Sequence, residues 1–259
     1  MKKIATYNNR LITVSANKKL WLRILGEVRN QPIWYLTNQY GYRARSPRLL
    51  IVGGMHGEEV AGPLSIMKWI EDFDPILFHT INLSFIPMVN PVAYQLGQRY
   101  NHKKEKSNCG FYDTQGSGDN PSEEGVVLLK NLPLLKACSR DGFLSLHEDI
   151  ESSKFYLYTF ERTAEPGSFT YAMRDKLAEF FTDPLDNELV TTDAQGGHGI
   201  MVKNGIVYRL EDGSLEHWLF TEGTNRSVTT ETPGTYPLKI RINANMALIT
   251  KFIELLGGI

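Results

Sequence analysis

The run GGMHGEEVAG, residues 53 to 62, places His56 and Glu59 three positions apart just beyond the apolar stretch LLIV. An imidazole and a carboxylate past the end of a predicted strand lie at the edge where open α/β sheets usually hold ligands. Alone, H-x-x-E is a weak signal, because a histidine there can equally cap the following helix. A second fragment, FLSLHED, ends another predicted strand at His147. Together His56, Glu59 and His147 offer two nitrogens and one carboxylate, three protein ligands at about 2.0–2.2 Å from a single Zn2+ ion, with a fourth position left for water. Such a set suits a catalytic site rather than a structural one. Cys109 and Cys138 are the only cysteines and form no paired CxxC spacing, so a metal site must use His and carboxylate.

Zinc brings the pKa of a bound water towards roughly 7, but amide hydrolysis also needs a base to carry the proton to the leaving nitrogen. Glu231, in SVTTETPG, ends a third predicted strand before a Pro-Gly turn and is the candidate, although a solvated strand-end acid would read the same way. Charge developing on the carbonyl oxygen calls for a fixed cation. Arg99, in NPVAYQLGQRYN, is the candidate, with an ordinary surface arginine as the alternative.

These residues need strands that end together. RLLIVGG and INLSFIPMVN read as buried strands, with the helix-spaced VAGPLSIMKWIEDF between them. SEEGVVLLKNLPLLKAC reads as a helix capped by Ser122, FLSLH and KFYLYTF as strands, and PGSFTYAMRDKLAEFF as a helix. SVTTE is a further strand and IRINANMALITKFIELL a closing amphipathic helix. This alternation predicts an α/β fold with helices on both faces of a mixed, mostly parallel sheet. LITVSA, LWLRILGEV and IWYLTNQYG, before residue 49, predict a short antiparallel meander, and residues 183 to 226 predict long loops over one sheet edge. With no repeat or linker, residues 1–259 are expected to form one catalytic domain, β-rich over 1–48 and carrying the core over 49–259.

The 28 basic and 29 acidic residues leave a net charge of −1, which gives no reason to expect a nucleic-acid or anionic-membrane partner. No run of eighteen apolar residues suggests a membrane span, and MKKIATYNNRLITVSANKKLWLR is too interrupted for a signal peptide. A cytoplasmic protein acting on a small peptide or acyl amino acid is expected. The oligomeric state is not legible.

In this order the segments resemble the zinc carboxypeptidase family over roughly residues 48 to 235. GGMHGEEVAG looks like its first metal-binding segment and FLSLH like the second, implying His56, Glu59 and His147 as ligands. The NP...R segment implies Arg99 as the oxyanion arginine. GSLEHW followed by SVTTETPG implies Glu231 as the catalytic glutamate, with Trp218 thirteen residues ahead of it. The resemblance further implies an α/β/α three-layer sandwich, one zinc ion and removal of a C-terminal residue from a peptide or related amide. Where the family carries an Asn-Arg pair for the terminal carboxylate, this chain has Asn108 followed by Cys109, and a thiol cannot form a bidentate clamp. Lys103, Lys104 or Lys106 is left to supply positive charge. An acid that supports the first histidine in relatives falls at or beside Lys106, which leaves Glu58, Glu148 or Asp149 as candidates for that support, or else a weaker site. Glu216 falls where relatives line the side-chain pocket, implying a basic or amine-bearing substrate residue. Deacylation of an N-acyl amino acid, as in the related succinylglutamate desuccinylase and aspartoacylase branch, is the alternative reaction. A non-catalytic metal-binding module is the alternative of another class. His102, His198 and His217 take no assigned role.

Overall fold

The protein is described by a computed structural model over residues 4–38, 46–74, 80–111, 120–191 and 199–257. Its N-terminal strands are β1 (Trp21–Val28) and β2 (Gln31–Thr37), followed by β3 (Arg48–Gly53), β4 (Asn82–Ile86), β5 (Gly142–Asp149) and β6 (Tyr156–Phe160). The later strands are β7 (Glu188–Thr191), β8 (Gly199–Val202), β9 (Ile206–Tyr208) and β10 (Ser227–Pro233). Eight of them form one sheet in the order β1-β2-β4-β3-β5-β10-β6-β9, while β7 and β8 pair separately. The centre, β4-β3-β5-β10, is parallel; β1, β2 and β6 join through antiparallel pairings, and β9 runs parallel to β6.

Alternation along each strand divides the core between two faces. Leu49, Ile51, Leu144, Leu146 and Val228 point to one face. They meet α1 (Ile4–Asn17), α2 (Ala61–Asp72), α6 (Ser168–Ala178) and α8 (Leu238–Gly257). Leu50, Val52 and Phe143 point to the other face, against α4 (Glu123–Lys130), α5 (Leu132–Cys138) and α7 (Leu215–Thr221). The result is the expected three-layer α/β/α sandwich. Ser122 caps α4 by accepting a hydrogen bond from the Gly125 N–H at 3.0 Å.

Three local expectations change. LITVSA is helical: Ile4, Tyr7, Leu11, Val14 and Ser15 are buried at helical spacing, and that stripe outweighs the β-branched content. The predicted helix after Ser122 breaks at Asn131, before Pro133, into α4 and α5. Residues 183 to 226 contain β7, β8, β9 and α7, each too short to give a clear periodic signal.

The turn after β3 carries the first site segment. Gly54 has φ +63°, in the left-handed region, which lets the chain leave the strand sharply. Gly57 packs directly on α3 (Pro91–Leu96), and a Cβ there would lie 2.0 Å from the Ala93 carbonyl carbon. That carbon and the Tyr94 nitrogen, 2.2 Å away, are both backbone, so neither can swing aside. Gly57→Ala is expected to lower stability by about 1–3 kcal/mol, read as a reduced midpoint in urea unfolding; an unchanged midpoint would show that the turn and α3 do not meet in this way.

Candidate metal centre and cleft

His56 and Glu59 lie in the turn after β3, and His147 lies near the end of the adjacent parallel strand β5. All three side chains are buried, with exposures of 3%, 1% and 1%. One donor atom from each falls within 4.8 Å of the other two. Glu59 bridges the imidazoles: Oε1 is 2.5 Å from His56 Nδ1 and Oε2 is 3.0 Å from His147 Nδ1. The rings stand edge to face, 5.0 Å between centroids. Buried Nε2 of His147 has no hydrogen-bond partner among the described residues.

The electrostatics of this cluster are those of a cation site. Burial opposes charge on Glu59, yet His56 and His147 hold its carboxyl well below the usual carboxylate range. Burial also opposes charge on His147, but Glu59 raises its pKa above the ordinary histidine value. Positive charge is favoured where these two nitrogens and the carboxylate converge. A divalent ion of borderline softness suits that donor set.

Register places Glu231 beside the cluster. It pairs with His147 across the parallel β5–β10 ladder and with Tyr156 across the antiparallel β10–β6 ladder, so the three side chains share a face. Burial pushes the Glu231 carboxyl well above the usual range; His147 and Arg99 oppose that shift and Glu59 adds to it. Arg99 follows α3, with Nη1 3.2 Å from Glu59 Oε1 and 3.6 Å from Glu58 Oε1. The Gly57 N–H donates to the Arg99 carbonyl at 3.4 Å, tying the two segments together. His56, His147, Arg99 and Glu231 line a cleft of about 790 Å³.

Asn108 and Glu216 line the same cleft and engage each other, the Asn108 amide donating to Glu216 Oε2 at 3.1 Å. Asn108 Oδ1 also accepts from the Leu215 N–H at 3.1 Å, fixing it to the start of α7. Cys109 is buried, its thiol directed at the Lys106 carbonyl at 3.6 Å, while Lys106 lines the cleft. The acids proposed to support His56 are committed elsewhere. Glu148 is on the opposite sheet face, where it accepts from the Ala61 N–H at 2.6 Å and pairs with Arg241. Asp149 accepts from the Tyr156 hydroxyl at 3.0 Å, and Glu58 faces Arg99. His217 stacks on Phe160 and its Nδ1 accepts from the Gly213 N–H, so it packs. His102 lies 3.5 Å from Glu123, and His198 lies outside the described residues.

Tyr156, Tyr158, Asp212 and Thr229 also line the cleft and were not singled out by the sequence reading. The period of two was available as a signal, since Thr229 and Glu231 alternate on β10 and Tyr156 and Tyr158 on β6. Asp212, in an irregular stretch, offered none.

A family model for the succinylglutamate desuccinylase/aspartoacylase catalytic domain matches residues 45–167, the segment that carries His56, Glu59, Arg99, Asn108 and His147. A crystal structure of a candidate metallopeptidase from Shewanella amazonensis SB2B is 34% identical, with a TM-score of 0.88 over 98% of this chain and 94% of that one. The chain belongs to the metallopeptidases related to succinylglutamate desuccinylase and aspartoacylase. A second relative in that family, a candidate metallopeptidase from Shewanella denitrificans OS217, is 32% identical, with a TM-score of 0.89 over 99% of this chain and 92% of that one. A metallo-carboxypeptidase from Burkholderia cenocepacia, 15% identical with a TM-score of 0.66 over 95% of this chain and 67% of that one, shares the fold. Among curated proteins no match is found. Family and site together make this a metal-binding hydrolase of the zinc-peptidase superfamily. Among the described residues no helix is long and apolar enough to cross a membrane.

Since the metal competes with protons for the imidazoles, its affinity is linked to pH. With the His147 pKa raised, zinc affinity is expected to fall as the pH is lowered, by about tenfold per pH unit for each proton displaced, with the fall beginning above the ordinary histidine value. Competition with a chromophoric chelator between pH 5.5 and 8 measures this. A flat profile would mean that the imidazoles are not the ligands.

Proposed function

We propose that the protein is a zinc-dependent amide hydrolase of the deacylase type, which frees an acyl group from the nitrogen of a small amino compound. The observation that carries this reading is the pairing of Glu231 with His147, which sets a half-buried carboxylate beside the His56–Glu59–His147 cluster inside the cleft. In this reading those three residues hold one zinc ion. When bound, the ion supplies Lewis acidity, polarising the scissile carbonyl and acidifying the attacking water.

The remaining chemistry belongs to the chain. Glu231 takes the proton of the attacking water and returns it to the leaving nitrogen. Its surroundings favour a carboxyl able to do both, because burial raises its proton affinity while His147 and Arg99 restrain the rise. Arg99 faces the developing oxyanion, held in place by Glu58 and Glu59. Asn108 and Glu216 bind substrate, with Asn108 orienting the Glu216 carboxylate.

The match to the desuccinylase and aspartoacylase catalytic domain supports deacylation, as does the absence of a guanidinium at Cys109 for gripping a terminal carboxylate. Removal of a C-terminal residue from a peptide is the second reading, favoured by the metallopeptidase relatives. The near-neutral charge suits a small soluble substrate rather than nucleic acid, and two buried free thiols suit a cytoplasmic setting. The chain acts as one catalytic unit in this reading.

Glu231→Gln is expected to lower kcat by about 10²–10⁴ with bound zinc unchanged, measured by turnover and elemental analysis of the same sample. Undiminished turnover would remove Glu231 from the mechanism. Acyl amino acids and short peptides assayed in parallel decide between the two reactions: cleavage confined to peptides would displace deacylation.

A further inference from the structure

β7 and β8 form a two-stranded ribbon that is apolar on both faces. On the inner face Val190 and Val202 are buried against Tyr156 and Tyr158 of β6 and Val207 of β9. On the outer face Leu189 and Met201 stand directly opposite each other across the antiparallel pair, 64% and 46% exposed. A solvated sheet face ordinarily carries polar side chains. Gly199 shares that outer face, and a Cβ there would lie 3.0 Å from Leu189 Cβ, so the glycine leaves this flank of Leu189 uncovered.

Leu189 also lines the metal cleft, as does Ile150, 41% exposed in the segment between β5 and β6. The Lys154–Glu188 ion pair ties that segment to the start of β7. We propose that Leu189, Met201 and Ile150 form an apolar lip of the cleft that binds an extended hydrocarbon chain on the acyl group of the substrate. The proposal rests on the amide-hydrolase reading and names the acyl class for it.

The lip is continuous with the reacting centre, because Leu189 and Ile150 share one cleft with His56, His147 and Glu231. A cleft of about 790 Å³ is in the range that encloses drug-sized ligands and exceeds what an acetylated amino acid fills. Asn108 and Glu216 give the amino compound a polar wall, which leaves the acyl group for the apolar one. Asp149 and Glu151 flank Ile150 and line the cleft too, so an acyl chain ending in a carboxylate would meet like charge. A hydrocarbon chain instead removes three exposed apolar side chains from water.

N-acetyl-, N-hexanoyl- and N-decanoyl-L-alanine, offered to the zinc-loaded full chain, test this through kcat/KM. Each added methylene is expected to raise kcat/KM by about two- to fourfold until the chain outruns the lip. Leu189→Asn and Met201→Gln, combined in one variant and checked for folding by thermal melting, are expected to lower the decanoyl-to-acetyl ratio by about tenfold or more. A ratio near one in the unaltered chain, faster cleavage of N-succinyl- than of N-hexanoyl-L-alanine, or an unchanged ratio in the folded variant would overturn the lip. So would a dimer, seen by sedimentation velocity, that the same variant dissociates, because a second copy would then cover these side chains. Calorimetric titration with acetate, hexanoate and decanoate, the acids that hydrolysis releases, separates the two levels of the reading. Affinity rising with chain length and no amide cleaved keeps the lip and sinks the hydrolase; equal cleavage of all three amides sinks the lip and leaves the hydrolase.

Discussion

Everything at the site depends on the burial of one carboxylate. Glu59 is removed from water between His56 and His147, and a charge in that position persists only if positive charge is supplied at contact distance. His147 responds with a raised proton affinity, and a divalent ion would supply the charge by displacing that proton. Arg99 contributes from the rim, where its guanidinium reaches Glu59 without entering the core.

Such a cluster needs a rigid surround, which the sheet provides. β3 and β5 are parallel neighbours, so their ends deliver the turn bearing His56 and Glu59 to the same edge as His147. The β5–β10 ladder then fixes Glu231 relative to His147 by backbone hydrogen bonds rather than by flexible side chains. A slip of one residue would turn Glu231 to the opposite face, where Glu148 already meets Arg241 and the start of α2. One pairing thus assigns two neighbouring acids of the chain to different work: Glu231 faces the cleft, and Glu148 ties sheet to helix.

How much of this was legible in sequence follows from the range of the forces involved. Strands β3, β5, β6 and β10 and helices α2 and α8 bury enough apolar surface for their periodicity to show. His56, Glu59 and His147 were legible because they sit at strand ends with metal-binding residue types, and they do converge. LITVSA misled because β-branched residues suggest a strand, whereas the buried stripe of α1 extends back to Ile4 and becomes clear only over the full helix. β7, β8 and β9 span four, four and three residues, too few for either period to register. The partners of Glu148 and Asn108 were illegible for another reason: Arg241 is 93 residues from Glu148 and Glu216 is 108 from Asn108, and only the folded sheet brings them together.

The same long-range pairing shows how selectivity separates from chemistry on this scaffold. The Asn108 amide is held by Glu216 and the Leu215 N–H, and the next residue, Cys109, turns its thiol into the protein. No guanidinium stands beside Asn108 on that wall, where Lys106 lines the cleft and Glu216 accepts from the Asn108 amide. Because Glu216 enters from α7 while the metal cluster enters from β3 and β5, either can change without moving the other. The sheet edge fixes the cluster and Glu231 by register, while Glu216 on the opposite wall is carried by a helix, so centre and wall are set by different elements.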